Sequence, residues 1–342
     1  MIRVLVVDDS LSIRKKICEI IDRDPELTVA GEAENGKAAF ELVKSVSPDA
    51  IILDLVMPVM DGQEATELIM AYHPTPIIIH SSAANRGEDY KTIDALSAGA
   101  LDSVEKTMED WEQELPLRVK RAAGIKVVTH LKRKGIKKLQ SDSVWDTAIG
   151  PGRYNLLVMG ASTGGPRVVL DIICQLPRDF PIPIIVVIHV ADSLQNTLGD
   201  WLKNNSNLDV VVPADGQTFK GRRGTVYLAP PGRHLIVENG DLRLTATPLV
   251  NFCRPSIDVL FRSVANDQQL TTIGVLLTGM GNDGAAGLKA IKDSGGYTIA
   301  QDEETSMVFG MPKEAIELGA ASTVLPVSEI PGEIIKLAGI GL

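Results

Sequence analysis

One stretch sets the architecture of the second half of the chain: Asn155-Leu156-Leu157-Val158-Met159-Gly160-Ala161-Ser162-Thr163-Gly164-Gly165-Pro166. A strand-like apolar run ends at Met159, small residues surround Ser162, and a helical pattern follows from Val168 to Leu176. A strand, a tight turn and a helix around a G-x-S-x-G core are typical of a nucleophile elbow, which exposes the serine hydroxyl. The helix N-terminus can offer N–H groups to an oxyanion. Because phosphate-binding loops and plain turns share this pattern, the catalytic interpretation depends on partners for the serine.

The composition predicts two domains in a reducing compartment. A chain of 342 residues is long for one core, and 44% hydrophobic residues indicate two well-formed cores. A net charge of −10 argues against DNA binding, which needs a basic patch. Three widely spaced cysteines, Cys18, Cys174 and Cys253, form no C-x-x-C motif, which argues against metal or disulfide frameworks. With no signal peptide and no apolar run of membrane-spanning length, we expect a cytoplasmic protein without membrane insertion.

The first half alternates short apolar runs with amphipathic helical stretches. Five runs are predicted to be strands: Arg3–Val7, Leu27–Gly31, Ala50–Leu53, Pro76–His80 and Ala100–Val104. Strands separated by about one helix each indicate a doubly wound, parallel α/β sheet. In such a sheet, functional groups gather at the carboxyl ends of the strands.

Five polar residues follow these strands and are expected to meet at one sheet edge: Asp8, Asp9, Asp54, Ser81 and Lys106. Converging carboxylates raise one another's pKa unless a cation lies among them. An incomplete shell of oxygen ligands suits Mg²⁺, so the three aspartates are the predicted metal ligands. Taken singly, an aspartate such as Asp9 is also typical of a helix cap.

These residues resemble the receiver domain of bacterial two-component response regulators. The resemblance covers about the first 120 residues and rests on Asp8-Asp9, Asp54-x-x-Met57-Pro58-x-Met60-Asp61-Gly62, Ser81 and Lys106. It implies a flavodoxin-like domain in which a histidine kinase phosphorylates Asp54, Asp8 and Asp9 hold Mg²⁺, and Ser81 and Lys106 sense the phosphoryl oxygens.

Two positions depart from the receiver pattern. Thr107 stands where receivers usually carry proline, and we expect a trans peptide bond there because a cis bond to threonine costs about 3–4 kcal/mol. Ser103 stands where receivers usually carry an aromatic switch residue, so a ring-based signal is not expected from this position.

A basic stretch joins the two halves. Between Leu115 and Ser141 there is no acid but nine basic residues: Arg118, Lys120, Arg121, Lys126, Lys132, Arg133, Lys134, Lys137 and Lys138. Gly124, Gly135 and the following Gly150-Pro151-Gly152 are typical of a helix end and a linker, which can be a solvated tether or can dock on an acidic surface. We predict a receiver over residues 1–122, a basic linker over 123–151 and a catalytic domain over 152–342.

The second half repeats the α/β pattern. Six runs are predicted to be strands: Leu156–Met159, Ile184–Ile188, Thr225–Leu228, His234–Val237, Ile273–Leu277 and Thr298–Ala300. Helices between several of them indicate a doubly wound, mostly parallel sheet. The run Leu235–Leu244, with Asn239-Gly240 at its centre, predicts an antiparallel hairpin.

The serine needs a general base, and His189 is the predicted one. It ends the buried run Pro183–Ile188 at the sheet edge where Ser162 lies, so imidazole and hydroxyl face one crevice. His234 begins its strand instead of ending it. An inert, hydrogen-bonded core histidine is the other interpretation of His189.

The third member should be a carboxylate on a loop after another strand. Asp283 lies in the glycine-dense turn Leu277–Gly284, where Met280 or a neighbour can supply an oxyanion N–H. Its rival, Asp258, lies in Arg254–Asp258, which is typical of a helix start. The chain order of serine, histidine and acid is no objection, because a triad is defined by geometry.

Residues 152–342 resemble the protein-glutamate methylesterases of bacterial chemotaxis, the CheB type. The shared segments are Gly160–Gly165, Arg254–Asp258, Thr278–Gly284, Gly310–Ala315 and Gly319–Ala321. The resemblance implies a triad of Ser162, His189 and Asp283, with Thr163, Gly164 and Met280 on the oxyanion and substrate side. The segment after the histidine, Ile188–Ser193, departs from the family and bears on which receptor segment fits the groove.

The sequence thus predicts a phosphorylation-regulated serine hydrolase. The resemblance implies release of methanol from glutamate methyl esters on methyl-accepting chemotaxis receptors, deamidation of their glutamines and a chemotaxis histidine kinase as phosphodonor. We expect a monomer. The hydrolase step itself needs no cofactor. We expect the unphosphorylated receiver to restrain the esterase. A non-catalytic receptor-binding or nucleotide-binding response regulator is the alternative, whereas no helix-turn-helix pattern supports nucleic-acid binding.

Overall fold

The computed structural model describes residues 1–82, 86–125, 127 and 153–340. The chain divides into two compact units, within residues 1–135 and 136–342. The predicted basic linker over 123–151 lies almost entirely outside the described residues, so its interpretation stays a prediction. Within the described ranges, no helix is long and apolar enough to cross a membrane.

The first unit contains a five-stranded parallel sheet, as predicted, and its described residues form five helices. Its strands are β1 (Ile2–Val7), β2 (Leu27–Ala33), β3 (Ala50–Leu53), β4 (Ile77–Ser81) and β5 (Asp102–Glu105), in the order β2-β1-β3-β4-β5. Its helices are α1 (Leu11–Arg23), α2 (Gly36–Val46), α3 (Gly62–Tyr72), α4 (Arg86–Ala98) and α5 (Trp111–Ala123).

Burial explains why the central strands read as unbroken apolar runs. Every residue of β3 is buried, because helices cover both faces of a parallel sheet. The β1–β3 register pairs Val7 with Leu53, and the Asp54 N–H donates to the Val7 carbonyl at 2.9 Å. This register places the residues that follow β1 and β3 side by side at one sheet edge.

The second unit is built on a seven-stranded parallel sheet with a small antiparallel sheet beside it. The large sheet contains β6 (Leu156–Ala161), β7 (Ile184–Ile188), β8 (Asp209–Val211), β10 (Thr225–Leu228), β13 (Thr272–Leu276), β14 (Tyr297–Gln301) and β15 (Thr323–Leu325). The small one contains β9 (Gln217–Thr218), β11 (His234–Glu238) and β12 (Asp241–Thr245). The helices are α6 (Gly165–Ile173), α7 (Gln195–Asn205), α8 (Ile257–Asn266), α9 (Ala285–Asp293), α10 (Met311–Glu317) and α11 (Ile330–Leu337).

The predicted hairpin is confirmed as β11 and β12, which pair antiparallel. Asn239 and Gly240 both have positive φ, of 55° and 82°, as a two-residue hairpin turn of this kind requires. Three short strands, β8, β9 and β15, were not predicted from the sequence. They contain only three, two and three residues. Such short segments carry too few residues for an alternating or continuous apolar pattern to stand out.

Strand order identifies the place where a site should form. The large sheet runs β15-β14-β13-β6-β7-β10-β8, so the chain extends the sheet to one side of β6 and later returns to its other side at β13. Such a switch in direction opens a crevice at the carboxyl ends of the strands. The residue that follows β6 is Ser162.

Candidate active site

Ser162 occupies the tight turn between β6 and α6. Its N–H donates to the Thr278 carbonyl at 3.0 Å, and its own carbonyl accepts from the Gly165 N–H at 2.7 Å. Gly164, the N-cap residue of α6, has a φ of 78°, which residues with a side chain rarely adopt. The half-buried serine is therefore held on both sides at the switch point of the sheet.

His189 follows β7 and lies next to Ser162 in the sheet. The register pairs Ala161 with Ile188, and the His189 N–H donates to the Ala161 carbonyl at 3.0 Å. The two residues that follow these partners are thus neighbours at one edge. His234 is fully buried elsewhere, where its Nε2 lies 3.1 Å from the Pro248 carbonyl oxygen and its Nδ1 accepts the Ser256 N–H.

Asp283 contacts His189 and is fixed at the N-terminus of α8. Its carboxylate accepts the N–H groups of Ile257 and Asp258, at 2.7 and 3.2 Å. It also accepts the Ser256 hydroxyl at 2.7 Å and the Asn251 amide at 2.9 Å. With so many donors the carboxylate stays ionised in one orientation, which is what an acid that orients a histidine needs.

The two side chains meet at 3.1 Å, between His189 Nε2 and Asp283 Oδ2. The contact is an ion pair without the alignment of a hydrogen bond. Burial works against a charged imidazole, but contacts with Asp283 and Cys253 outweigh it and raise the pKa of His189 to about 9. Burial opposes the shift of Asp283 too, yet the His189 and Asn251 contacts lower the pKa of its carboxyl.

This contact sets the roles of the two ring nitrogens. Because an ionised carboxylate only accepts, the Asp283 side favours a proton on Nε2 and leaves the Nδ1 lone pair for the reaction. Nδ1 faces Cys253, whose Sγ lies 3.8 Å away. Asp258, the rival acid, instead accepts from the Gly287 N–H at 2.6 Å and from Asn251 at 3.0 Å.

Thr163, Gly164 and Met280 are the predicted oxyanion donors. Thr163 and Gly164 follow Ser162 at the start of α6, and Met280, which is exposed, follows β13. Among the described residues, the Thr163 and Met280 N–H groups donate to no acceptor of the protein. These two N–H groups are therefore available to an oxyanion.

Thr278 is a positioning residue that the sequence analysis did not single out. Its hydroxyl is fully buried, donates to the Thr163 carbonyl at 3.0 Å and accepts the Val308 N–H at 3.0 Å. Its N–H donates to the Gln301 side chain at 2.8 Å. A buried threonine at the end of an apolar strand, directly before a glycine-rich turn, was the available signal.

Gly279 is needed because its backbone lies against the serine. A Cβ at this position would come within 2.6 Å of both Ser162 Cβ and Met311 Sδ. We expect Gly279→Ala to displace the serine and reduce kcat for ester hydrolysis by about 10²-fold, since misplacement by about 1 Å can cost that much. Gly332→Ala, where a Cβ meets nothing within 4 Å, is the control. Equal kcat for both variants would contradict this role of Gly279.

The first unit carries the predicted acid pocket. Asp8, Asp9 and Asp54 bring carboxylate oxygens within 4.8 Å of one another. Lys106 Nζ lies 2.8 Å from Asp8 Oδ2 and 2.9 Å from Asp54 Oδ1. Buried Ser81 ends β4, and its carbonyl accepts the Lys106 N–H at 2.7 Å.

Electrostatics in this pocket favour a cation. Burial raises the pKa of Asp54, with Lys106 offsetting part of the shift. Burial disfavours the Lys106 ammonium, but attraction to Asp54 and Asp8 outweighs it and raises the pKa of the lysine. The oxygen-only donor set fits Mg²⁺, which would add positive charge where the carboxylates converge.

Ser103 and Thr107, the two residues that depart from the receiver pattern, both lie in described parts of the first unit. Ser103 is buried on β5, and Thr107 is exposed directly after Lys106. Within the described residues the one cis peptide bond is Arg254–Pro255, so the bond before Thr107 is trans, as expected.

Fold and site together define a class. A five-stranded parallel sheet with an acid pocket at its edge is a response-regulator receiver, and its partner unit is an α/β domain with a serine, a histidine and an acid at a switch point.

Comparison with known proteins narrows this class. The receiver-domain model of response regulators matches residues 4–120, and the CheB methylesterase model matches residues 157–334. The chain belongs to the CheB methylesterase family, in the form that carries an N-terminal receiver.

Similar proteins extend over nearly the whole chain. A protein-glutamate methylesterase/protein-glutamine glutaminase of Anaeromyxobacter dehalogenans is 41% identical over 98% of this chain and 97% of its own length. One of Syntrophus aciditrophicus is 41% identical over 99% of each chain. The crystal structure of the Thermotoga maritima CheB methylesterase catalytic domain matches with a TM-score of 0.51 and 41% identity, over 54% of this chain and 98% of that one.

Proposed function

We propose that this protein is a phosphorylation-regulated serine hydrolase that removes methyl groups from glutamate methyl esters of methyl-accepting chemotaxis receptors. The observation that supports the proposal is that His189 follows the strand paired with the strand that precedes Ser162, and that its Nε2 contacts the ionised Asp283. Relatives with both activities in their names support methylesterase and glutaminase chemistry at this one site. Both reactions pass through an acyl-enzyme and differ in the leaving group, methanol or ammonia.

The residues act in sequence. His189 takes the proton of Ser162 at Nδ1 as the serine oxygen attacks the ester carbonyl, and Asp283 stabilises the resulting imidazolium from the Nε2 side. The N–H groups of Thr163, Gly164 and Met280 stabilise the tetrahedral oxyanion. The imidazolium then protonates the departing methoxide, and water, activated by the same base, releases the glutamate.

The receiver supplies the control. Asp54 is the proposed phosphoacceptor; Asp8, Asp9 and Asp54 would hold Mg²⁺, and Lys106 and Ser81 would contact the phosphoryl oxygens. When bound, Mg²⁺ neutralises charge that develops during phosphoryl transfer. A histidine kinase of a chemosensory pathway is the proposed phosphodonor.

Methanol release tests the proposed reaction directly. The full chain is incubated with a methylated chemoreceptor, and the methanol released and the methyl esters left on the receptor are quantified against a buffer blank. We expect one methyl ester to be lost, and one receptor glutamate side chain to be restored, for each methanol released. No methanol above the blank would leave only the alternative of a non-catalytic response regulator.

The raised pKa of His189 predicts a pH profile. With a pKa of about 9 the imidazole is mostly protonated at pH 7 and cannot accept the serine proton, so kcat/KM should rise about tenfold per pH unit below the pKa and level off near pH 9. The rate of Ser162→Ala is subtracted at each pH to remove spontaneous ester hydrolysis. A profile that is flat between pH 6 and 9 would contradict the prediction.

The same raised pKa predicts that the free energy of unfolding falls as the pH rises, whereas kcat/KM rises. A folded-state pKa raised from 6.5 to about 9 stabilises the fold fully below pH 6.5, and this contribution is lost as the pH rises through 9. Thermal unfolding over the same pH range therefore provides an independent check on the titrating group, with His189→Gln as the reference.

Phosphorylation should change the rate through Asp54. With Mg²⁺ and a small-molecule phosphodonor, we expect methanol release to rise between about 5-fold and 150-fold, the range of typical couplings between sites. Asp54→Asn should abolish the rise and keep the basal rate. Asp61→Asn is the matched control, because Asp61 caps α3 and asparagine caps a helix equally well. A rise that survives in Asp54→Asn would contradict the assigned phosphoacceptor.

A further inference from the structure

A cysteine lies at the ring nitrogen that the proposed mechanism uses as base. Cys253 Sγ is 3.8 Å from His189 Nδ1, and the thiol is half-buried. Together with Asp283, these side chains bring a sulfur, a nitrogen and an oxygen within 4.8 Å of one another. A nucleophilic serine and its base need no such thiol, and hydrolysis leaves it without a role.

The backbone holds the thiol firmly in this place. Cys253 exchanges backbone hydrogen bonds with Val250, at 2.9 and 3.2 Å, which closes a tight loop. Asn251 has a φ of 51° and fastens that loop by donating its amide to Asp258 and to Asp283. The sulfur and the imidazole are thus tied to the same carboxylate network.

The distances are close to those of two ligands on one metal ion. Around tetrahedral zinc, with bonds of about 2.3 Å to sulfur and about 2.0 Å to nitrogen, the two ligand atoms lie about 3.5 Å apart. The separation of 3.8 Å between Cys253 Sγ and His189 Nδ1 needs only a small closure. Asp283 lies at the other ring nitrogen, and metal-ligating histidines usually present that nitrogen to a carboxylate.

We infer that Cys253 and His189 form a zinc site, with Asp283 orienting the imidazole, and that Zn²⁺ bound there inhibits the hydrolase. Binding converts the thiol to a thiolate and displaces the proton that Nδ1 carries when the imidazole is protonated; both protons pass to solvent, and the freed Nδ1 lone pair binds the metal. Sulfur and imidazole ligands favour Zn²⁺ over Mg²⁺, which prefers oxygen. The oxygen-only pocket of the receiver and this site therefore select different ions.

Inhibition follows from competition for one lone pair. A metal on Nδ1 removes the base that must accept the proton of Ser162, whatever the state of the receiver. The binding site rests on the geometry alone, whereas the inhibitory effect rests on the proposed function.

Cobalt absorption tests binding without any need for activity. The full chain is titrated with Co²⁺, and we expect a near-ultraviolet thiolate-to-cobalt charge-transfer band that Cys253→Ala and Cys253→Ser both lack. Cys18→Ala and Cys174→Ala, which remove the other two cysteines, should keep the band. Asp283→Asn should keep the band but weaken Co²⁺ binding by about 10-fold to 100-fold, as loss of a supporting carboxylate does.

Methanol release under Zn²⁺ tests inhibition. Micromolar Zn²⁺ should suppress the wild-type rate reversibly, with recovery on chelation, and each variant is compared with its own metal-free rate. Absence of the band, or a band that persists in both folded Cys253 variants, overturns the site. Zinc binding that leaves the wild-type esterase rate unchanged overturns the inhibition. If the chain releases no methanol at all, the cobalt spectra still decide the site, so the two proposals fail separately.

Discussion

Replacing Ser162 by alanine is expected to lower methanol release by at least about 10⁴-fold. The Ser162 hydroxyl is the proposed nucleophile, and loss of a serine nucleophile leaves only the residual catalysis of the oxyanion donors and of substrate binding. The fold should be unaffected, because the contacts that fix the turn use the backbone N–H and carbonyl of Ser162.

Initial rates of methanol release at equal concentrations of folded protein measure this effect. Ser294→Ala is the control, since this serine hydroxyl only donates to the Ile291 carbonyl at the end of α9. Its rate should match that of the wild type. If Ser162→Ala keeps a tenth or more of the wild-type rate, another group is the nucleophile and the proposed mechanism is wrong.

The sheet architecture could be predicted from the sequence because strands that are buried on both faces of a parallel sheet consist of consecutive apolar residues. Ala50–Leu53, Ile184–Ile188 and Thr225–Leu228 were predicted with the observed ends. The fifth strand was predicted at Ala100–Val104 and lies at Asp102–Glu105, because polar Asp102 and Glu105 belong to an edge strand that pairs on one side only.

The position of the candidate residues could also be predicted, since carboxyl ends of parallel strands share one edge. What the sequence could not supply was orientation. Nothing in it shows that Asp283 faces Nε2 of His189, or that Cys253, 64 residues further along the chain, faces Nδ1. These contacts depend on a loop with left-handed residues, Asn251 and Phe252, whose φ values no apolar pattern encodes.

Replacing Asp283 by asparagine should have the second largest effect, a fall in kcat of about 10⁴-fold, the size seen when a triad aspartate becomes an amide. The reason lies in the donors around the carboxylate. One oxygen faces the Ile257 N–H and His189 Nε2, and the other faces three further donors. In either orientation an amide NH₂ meets donors, and where it faces His189 it favours a proton on Nδ1, so the base is blocked.

Stability must be separated from chemistry in this variant, because Asp283 also interacts with the positive end of α8. Loss of its charge there costs about 0.3–2 kcal/mol, and a buried N–H left without an acceptor costs about 1–3 kcal/mol. Asp258→Asn is the matched control. It removes an equally buried carboxylate, one that accepts from the Gly287 N–H, without touching His189.

Both variants should unfold at lower denaturant concentration than the wild type, but only Asp283→Asn should lose activity per folded molecule. The kcat values of the two variants are compared without denaturant, at a temperature where circular dichroism shows that each is fully folded. Similar losses of kcat in both variants would mean that the acidic cluster serves the α8 N-terminus alone. A loss confined to Asp283→Asn would mean that one carboxylate holds the helix and orients the base, because both tasks require an ionised acceptor fixed at the same edge of the sheet.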